Sequence, residues 1–234
     1  MDVLIGIGVI GLAYLIGSIP FGLIVVKLST GKDIRSVASG RTGGTNALRA
    51  AGAWAGLVTG LFDVLKGASA VWLAKGLLIG SHVWIEILAP VAAILGHVYS
   101  IYMPEKNEKG QWRLRGGAGG AACLGGSIGF WPPSALIIIP LGLAVWYFIG
   151  YASLTTVSIA LTSILIFAMR AWLIGSPTAP WEYAVYGVLS LMILLWALRP
   201  NINRLMHGNE RLVGLRARIK AQKDGQSSSS SSSQ

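Results

Sequence analysis

Three stretches of this sequence bring together residue types suited to anion chemistry. Ser39-Gly40-Arg41-Thr42-Gly43-Gly44-Thr45-Asn46, followed by Arg49, packs glycines among hydroxyl, amide and guanidinium groups. Glycine tolerates positive φ and lets backbone N–H groups converge on an anion; Ser39, Thr42, Thr45 and Asn46 add side-chain donors, and Arg41 and Arg49 add charge. The pattern suits a phosphate, although no Gly-Lys-Ser/Thr closes it into a nucleotide-binding P-loop, and a flexible Gly/Ser loop is the alternative reading. Arg115-Gly116-Gly117-Ala118-Gly119-Gly120 sets an arginine at the mouth of a second glycine run with an apolar segment behind it. Amides at such a segment start attract anions, and small residues for close helix packing are the alternative. The third stretch runs Asn201-Ile202-Asn203-Arg204 to Glu210 after Arg199-Pro200, where a solvated helix end is the plain reading.

Three further groups stand inside apolar sequence. Asp63 and Lys66 are three residues apart and share one helix face, where each would be costly against lipid, so both must face the interior. They are either a neutralising structural pair or the wall of a polar cavity, with Lys66 reaching a bound anion and Asp63 orienting it. Gly96-His97 ends another apolar run, and a neutral imidazole is the best available general base near pH 7. Gly17-Ser18-Ile19-Pro20-Phe21-Gly22 lies within the first apolar stretch, where Pro20 should kink a helix and Gly22 should allow close approach.

The elements that must position these groups are membrane spans. Of 234 residues, 53% are hydrophobic and only 12% charged, far from the ordinary balance of a soluble enzyme. At about 20 apolar residues per crossing, spans fall near Leu4–Leu28, Leu57–Ile79, Trp84–Met103, Ala135–Tyr151, Leu154–Leu173 and Trp181–Leu198. Gly119–Trp131 is a shorter seventh, either a tilted span or half of a re-entrant hairpin turned by Pro132-Pro133. The expected fold is therefore an all-α polytopic membrane protein of about seven transmembrane helices. Of the 19 Lys and Arg residues, only Lys66, Lys75 and Arg170 lie off one face, so that face is cytoplasmic, with the N-terminus outside and the C-terminus inside. All three anion-suited stretches project to it.

Residues 1–210 read as one transmembrane domain, 211–225 as a basic cytoplasmic segment on anionic lipid, and 226–234 as a disordered Ser-rich tail. One cysteine, Cys123, and no Cys/His cluster argue against a disulfide or a structural metal. The +10 net charge is a matter of membrane topology, with no nucleic acid implied.

These motifs resemble those of the bacterial acyl-phosphate:glycerol-3-phosphate acyltransferase family, the PlsY type. Ser39 to Asn46 is similar to its S-G-x-x-G-x-T-N loop, Gly17 to Gly22 to G-S-x-P-F-G, and Asp63 to Gly67 to D-x-x-K-G. Gly96-His97 is similar to its G-H pair and Asn201 through Glu210 to N-I-x-R-L-x-x-G-x-E. The resemblance implies a seven-helix bundle in a bacterial plasma membrane, its site facing the cytoplasm. It further implies transfer of an acyl chain from acyl phosphate to the 1-hydroxyl of glycerol 3-phosphate, making lysophosphatidate for phospholipid synthesis without acyl-CoA, cofactor or metal. Two departures bear on activity. The family's K-G-G-K-G-V-A-T reads Arg115 to Ala122 here, with Ala118 at the second lysine, and Pro104 to Leu114 is longer and more charged than the family connection.

An acyl phosphate is already activated, so no covalent intermediate is needed and positioning should do most of the work. Substrate binding is expected from Ser39, Gly40, Gly43, Thr45, Asn46, Arg49, Lys66, Arg115, Gly116, Gly117, Asn201, Arg204 and Glu210. Within that set Ser39, Gly40, Thr45 and Arg49 hold glycerol 3-phosphate, Lys66 and Arg115 neutralise the departing phosphate, and Asn201 with Glu210 fixes the loops. His97, Lys66 and Ser39 form the expected catalytic set, the hydroxyl proton going to His97 or to a substrate phosphate oxygen. Asp63, Gly22 and Pro20 are orienting residues. The alternatives are a weakened or silent relative that binds phosphate or lipid, suggested by Ala118, and a small transporter, suggested by the intramembrane charges.

Overall fold

A computed structural model describes residues 2–77, 82–107, 109–175 and 178–231. The first apolar stretch is two helices, α1 (Asp2–Ser18) and α2 (Phe21–Thr30), broken at Ile19-Pro20. Pro20 lacks the N–H that would continue the ladder, so the expected kink is a full break. The next helix, α3 (Gly44–Leu77), starts thirteen residues before the expected Leu57, and Gly52 at φ 87° bends it. A hydropathy window misses this beginning because Thr45, Asn46 and Arg49 dilute it. The expected end at Ile79 lies outside the described residues.

The helix α4 (Val83–Val98) stops five residues short of the expected Met103. The chain then forms a two-stranded antiparallel hairpin, β1 (Ser100–Lys106) and β2 (Trp112–Arg115), where the sequence reading had only a charged loop. Its turn is held by Asn107, whose Oδ1 accepts from the amides of Lys109 and Gln111 at 3.0 and 2.9 Å. Helix α5 (Gly120–Phe130) follows, then α6 (Ala135–Ala144) running into a π turn at Val145–Ile149, α7 (Ala152–Ile174), α8 (Glu182–Met206) and α9 (Gly214–Ser231). The last helix crosses the boundary at 225 where the sequence reading separates a basic segment from a serine tail.

Five helical stretches are long and apolar enough to cross a membrane: Val3–Thr30, Gly44–Leu77, Pro132–Ile149, Ala152–Ile174 and Glu182–Met206. Two more apolar helices, α4 and α5, are shorter. At 1.5 Å per residue, the 11 residues of α5 reach only about 16 Å, and the helix is buried among α3, α4, α7 and α8. Ile94, Leu124, Phe167 and Leu194 pack around it, and the Phe130 ring meets Phe167, Tyr183 and Tyr186 at 5.7, 4.3 and 5.0 Å. Lipid gives helices no hydrophobic reason to associate, so small residues must let backbones approach. A Cβ on Gly67 of α3 would strike the Ala122 carbonyl of α5, and one on Gly125 of α5 would strike the Val64 carbonyl of α3. Leu136, Leu165 and Trp172 point outward and are exposed.

The break after α1 leaves two carbonyls without helical donors. Ser100 donates to the Ser18 carbonyl at 2.5 Å, and the Lys66 ammonium donates to the Ile19 carbonyl at 3.2 Å. Lys66 also pairs with Asp63 at 2.9 Å, both side chains nearly sealed from solvent. One interior cation thus serves a broken helix and a buried carboxylate together.

Candidate functional site

A cavity of about 590 Å³ opens between α3, α5, α6, α7, α8 and the segment that follows α8. Its mouth is polar, lined by Ser39, Arg41, Gly43, Thr45, Arg49, Ser153, Asn201, Arg204, Glu210 and Arg211. Its inner part is apolar, a trough between Leu57, Leu61 and Val64 on α3 and Ile138, Ile139 and Leu143 on α6, with Leu124 and Ile159 behind. Leu57, Leu61 and Leu143 are largely exposed, so the trough opens on the flank of the bundle.

The glycine loop is built inside out. Asn46, 3% exposed, donates from its amide to the carbonyls of Ile34, Val37 and Arg41 at 3.3, 3.0 and 2.9 Å, and its Oδ1 accepts from the Ser39 amide at 3.4 Å. It borders the cavity, yet its hydrogen-bonding capacity is spent on shaping the loop that carries Ser39 and Thr45. Gly40 turns with φ 64°, and a side chain there would collide with the Arg115 guanidinium. Gly22 sits beneath the Thr42 carbonyl, so α2 props the loop from below. From this frame the first turn of α3 presents Gly43, Gly44 and Thr45 to the cavity, where helix amides favour an anion.

Arg41 reaches across the mouth. Its guanidinium donates to the Gly117 carbonyl at 3.2 Å, the Ala197 carbonyl at 2.6 Å and the Asn201 Oδ1 at 3.2 Å, tying loop, α5 approach and α8 together. Burial first, and then the like charge of Arg204, pulls its pKa below the ordinary guanidinium value. Arg49, one turn into α3, donates to the Leu212 carbonyl at 3.3 Å. Asn201 donates to Glu210 Oε1 at 3.1 Å, and Ser153 donates to Glu210 Oε2 at 2.6 Å. The Val213 amide then bonds the Gly150 carbonyl at 2.9 Å, which straps residues 207–213 over the start of α7.

Several expected site residues stand elsewhere. Gly40, Lys66, Arg115, Gly116 and Gly117 are not on the cavity wall. Arg115 pairs with Glu105 of the hairpin at 2.8 Å, beside Arg113, which bonds the same carboxylate. Gly116 and Gly117 act through backbone: the Gly116 carbonyl accepts from the Thr42 amide at 3.4 Å, and the Gly117 amide donates to the His97 carbonyl at 2.9 Å. Lys66 is held at Ile19 and Asp63 as described. His97 and Asp63 do border the cavity, with His97 Nδ1 at 3.4 Å from Asp63 Oδ1. The other ring nitrogen, Nε2, lies against Gly117, so close that no Cβ fits there. Pro20 caps α2 without a side-chain bond to any site residue.

Ser153, Arg211 and Trp146 on the cavity wall escaped the sequence reading. Ser153 carries no local signal, being one hydroxyl in an apolar helix. Arg211 is hidden in a basic run, and the π turn that brings Trp146 inward leaves no periodic trace.

A polytopic helical membrane protein whose cavity joins a cluster of guanidinium groups to a lateral apolar trough belongs to the class of integral membrane enzymes that act on phosphorylated, acyl-bearing molecules. The family model for glycerol-3-phosphate acyltransferase matches residues 7–208, and the chain belongs to that family. It is 35% identical over 226 residues to glycerol-3-phosphate acyltransferase 3 of Dehalococcoides mccartyi, covering 90% of this chain and 96% of that one. With the glycerol-3-phosphate acyltransferase of Thermus thermophilus it shares 37% identity, over 88% of this chain and 94% of the relative. The crystal structure of PlsY (YgiH), an integral membrane glycerol 3-phosphate acyltransferase, in its glycerol 3-phosphate form superposes with a TM-score of 0.74 at 29% identity. That superposition covers 92% of this chain and 98% of PlsY. The lysophosphatidic acid form of PlsY gives 0.68 at 30% identity, over 89% of this chain and 95% of PlsY.

Proposed function

We propose that this chain transfers an acyl group from acyl phosphate to the 1-hydroxyl of glycerol 3-phosphate, giving lysophosphatidate for phospholipid synthesis at the cytoplasmic face of a bacterial plasma membrane. The observation that carries this reading is the single cavity with an arginine-rich mouth and a sideways-opening apolar trough. A water-soluble phosphate enters at one end, and an acyl chain lies in the other. The bundle crosses seven times when α4 and α5 are counted with the five longer spans. The concentration of basic residues on the loops beside the mouth sets that face inside, with the N-terminus outside and the C-terminus inside.

Acyl phosphate is a mixed anhydride, so its carbonyl is reactive without a covalent enzyme intermediate. Catalysis is then a matter of holding the hydroxyl against the carbonyl and stabilising charge on the phosphate that leaves. Ser39, Thr45, the first turn of α3 and Arg49 hold glycerol 3-phosphate. Glu210, through Asn201 and Ser153, fixes the strap that bounds the site.

His97 has one ring nitrogen on Asp63 and the other under Gly117. We read it as a positioning residue, with the hydroxyl proton passing to a phosphate oxygen of the substrate. Replacing His97 with alanine is expected to lower kcat roughly tenfold, short of the 10²–10⁴-fold typical of a lost general base. The variant should also keep the wild-type shape of the pH–rate profile between pH 6 and 8. A loss of three decades accompanied by a flattened profile would restore His97 as the base.

The direct test is lysophosphatidate formation by purified protein in lipid, from glycerol 3-phosphate with palmitoyl phosphate or palmitoyl-CoA. Turnover with the phosphate alone supports the proposal. Silence with both from folded protein would favour a relative that binds phosphate without turnover, a reading for which the uncharged Ala118 on the cavity wall is the specific observation.

A further inference from the structure

Four guanidinium groups and few acids share the cavity: Arg41, Arg49, Arg204 and Arg211, against Glu210 at the mouth and Asp63 deeper in. Asp63 is spent on Lys66, and Glu210 on Ser153 and Asn201. Among the described residues, none of the four arginines makes an ion pair. One phosphate ester, with a charge of about −1.5 to −2, leaves such a mouth cationic. A second brings it close to neutral.

The arginines also fall into two groups in space. Arg41 bonds Asn201, and Arg204 sits one helical turn beyond Asn201 on the same face of α8. Arg204 is the nearest strong like charge bearing on Arg41. Arg49 instead bonds the Leu212 carbonyl, beside Arg211, whose charge bears on it. Like charges held together in a partly dry site repel unless an anion lies between them. In the first group the Arg204 Nε is buried with no hydrogen-bond partner, a donor without an acceptor in a region where such groups are nearly always satisfied.

We infer that Arg41 and Arg204 form a second phosphate site, distinct from the one at Arg49, and that it receives the phosphate of the acyl donor. The inference rests on the acyl-transfer reading above and extends it. Arg41 is anchored on the Gly117 carbonyl, and the adjoining wall runs along Gly119, Gly120 and Leu124 of α5 into the apolar trough. A donor phosphate at this pair therefore lays its acyl chain along α5 toward Ile138. Glycerol 3-phosphate, held at the Arg49 end, attacks from across the mouth. Its hydroxyl oxygen bonds the carbonyl carbon, the bond from that carbon to the donor phosphate oxygen breaks, and phosphate departs with the proton. Arg204 is the group whose charge grows in value as that phosphate leaves.

Two measurements test this. Calorimetric titration of inorganic phosphate into the full chain in phosphatidylcholine nanodiscs is expected to read two sites in the wild type and one in Arg204→Gln. In steady-state kinetics Arg204→Gln should raise KM for palmitoyl phosphate roughly 10- to 150-fold, the worth of one charged hydrogen bond. KM for glycerol 3-phosphate should stay within about twofold, since that contact is untouched. Arg204→Lys should recover part of the loss. A single phosphate site in the wild type overturns the inference without recourse to any variant. So does an Arg204→Gln variant whose KM rises for glycerol 3-phosphate, or equally for both substrates. Absence of all turnover in the wild type would instead overturn the acyl-transfer reading, and the phosphate count would still decide whether the second anion site exists.

Discussion

Replacing Lys66 with methionine is expected to destabilise the folded chain by about 3–5 kcal/mol, the usual cost of removing one partner of a buried ion pair. The ammonium serves two acceptors sealed from water, the Asp63 carboxylate at 2.9 Å and the Ile19 carbonyl at 3.2 Å. Methionine fills the same volume, so the loss is electrostatic, leaving Asp63 charged in an apolar interior with only His97 beside it at 3.4 Å. The Ile19 carbonyl, freed by the break before Pro20, loses its donor at the same time. Denaturation of the purified protein in detergent measures the effect. Combining the change with Asp63→Asn should recover most of it, because removing both charges removes the desolvation that made either one costly. If Lys66→Met unfolds at the wild-type midpoint, Asp63 carries no charge in the folded state and the pair has been misread.

Arg49→Gln addresses the other large effect, on substrate and not on fold. One guanidinium nitrogen donates to the Leu212 carbonyl, and the side chain lines the mouth with donors to spare beside Thr45 and the first turn of α3. Glutamine retains a donor for Leu212 and discards the charge. KM for glycerol 3-phosphate should rise roughly 10- to 150-fold, the span given by a charged hydrogen bond of about 1.5–3 kcal/mol. Because the contact exists in both ground and transition states, kcat should change far less. A fall in kcat at constant KM would place Arg49 on the reacting centre instead. Initial rates over a glycerol 3-phosphate series at saturating donor separate the two.

How much of this was legible in the chain itself follows from how local each signal is. The Ser39–Asn46 loop, the Asp63/Lys66 pair and the Asn201/Arg204 pair are each written within one turn or loop, and the fold keeps each together. What the sequence reading assigned to substrate and the structure gives to architecture depends on distant partners. Lys66 goes to a carbonyl 47 residues away. Arg115 goes to Glu105 through strand pairing that the charged, turn-rich composition of 100–115 concealed. An Asn-to-Gly turn between Ile101-Tyr102 and Trp112 was the available sign of that hairpin. Asn46 reads as a ligand because amides bind phosphates, but three carbonyls from the loop before it compete successfully for its donors. The early start of α3 was missed for a different reason: an amphipathic first turn that carries arginine does not look like a span.

The opening of the trough along the flank of α3 and α6 changes what concentration means for this enzyme. A donor that enters through Leu57, Leu61 and Leu143 arrives from within the leaflet and searches in two dimensions. Its effective supply is its mole fraction among lipids, so diluting the bilayer with inert lipid lowers the rate at constant bulk concentration, and adding aqueous volume does not. The acylated product, carrying the same chain, has the same way out. Its phosphate clears the arginines while its tail never leaves hydrocarbon, and release is then governed by how readily the surrounding lipid refills the trough.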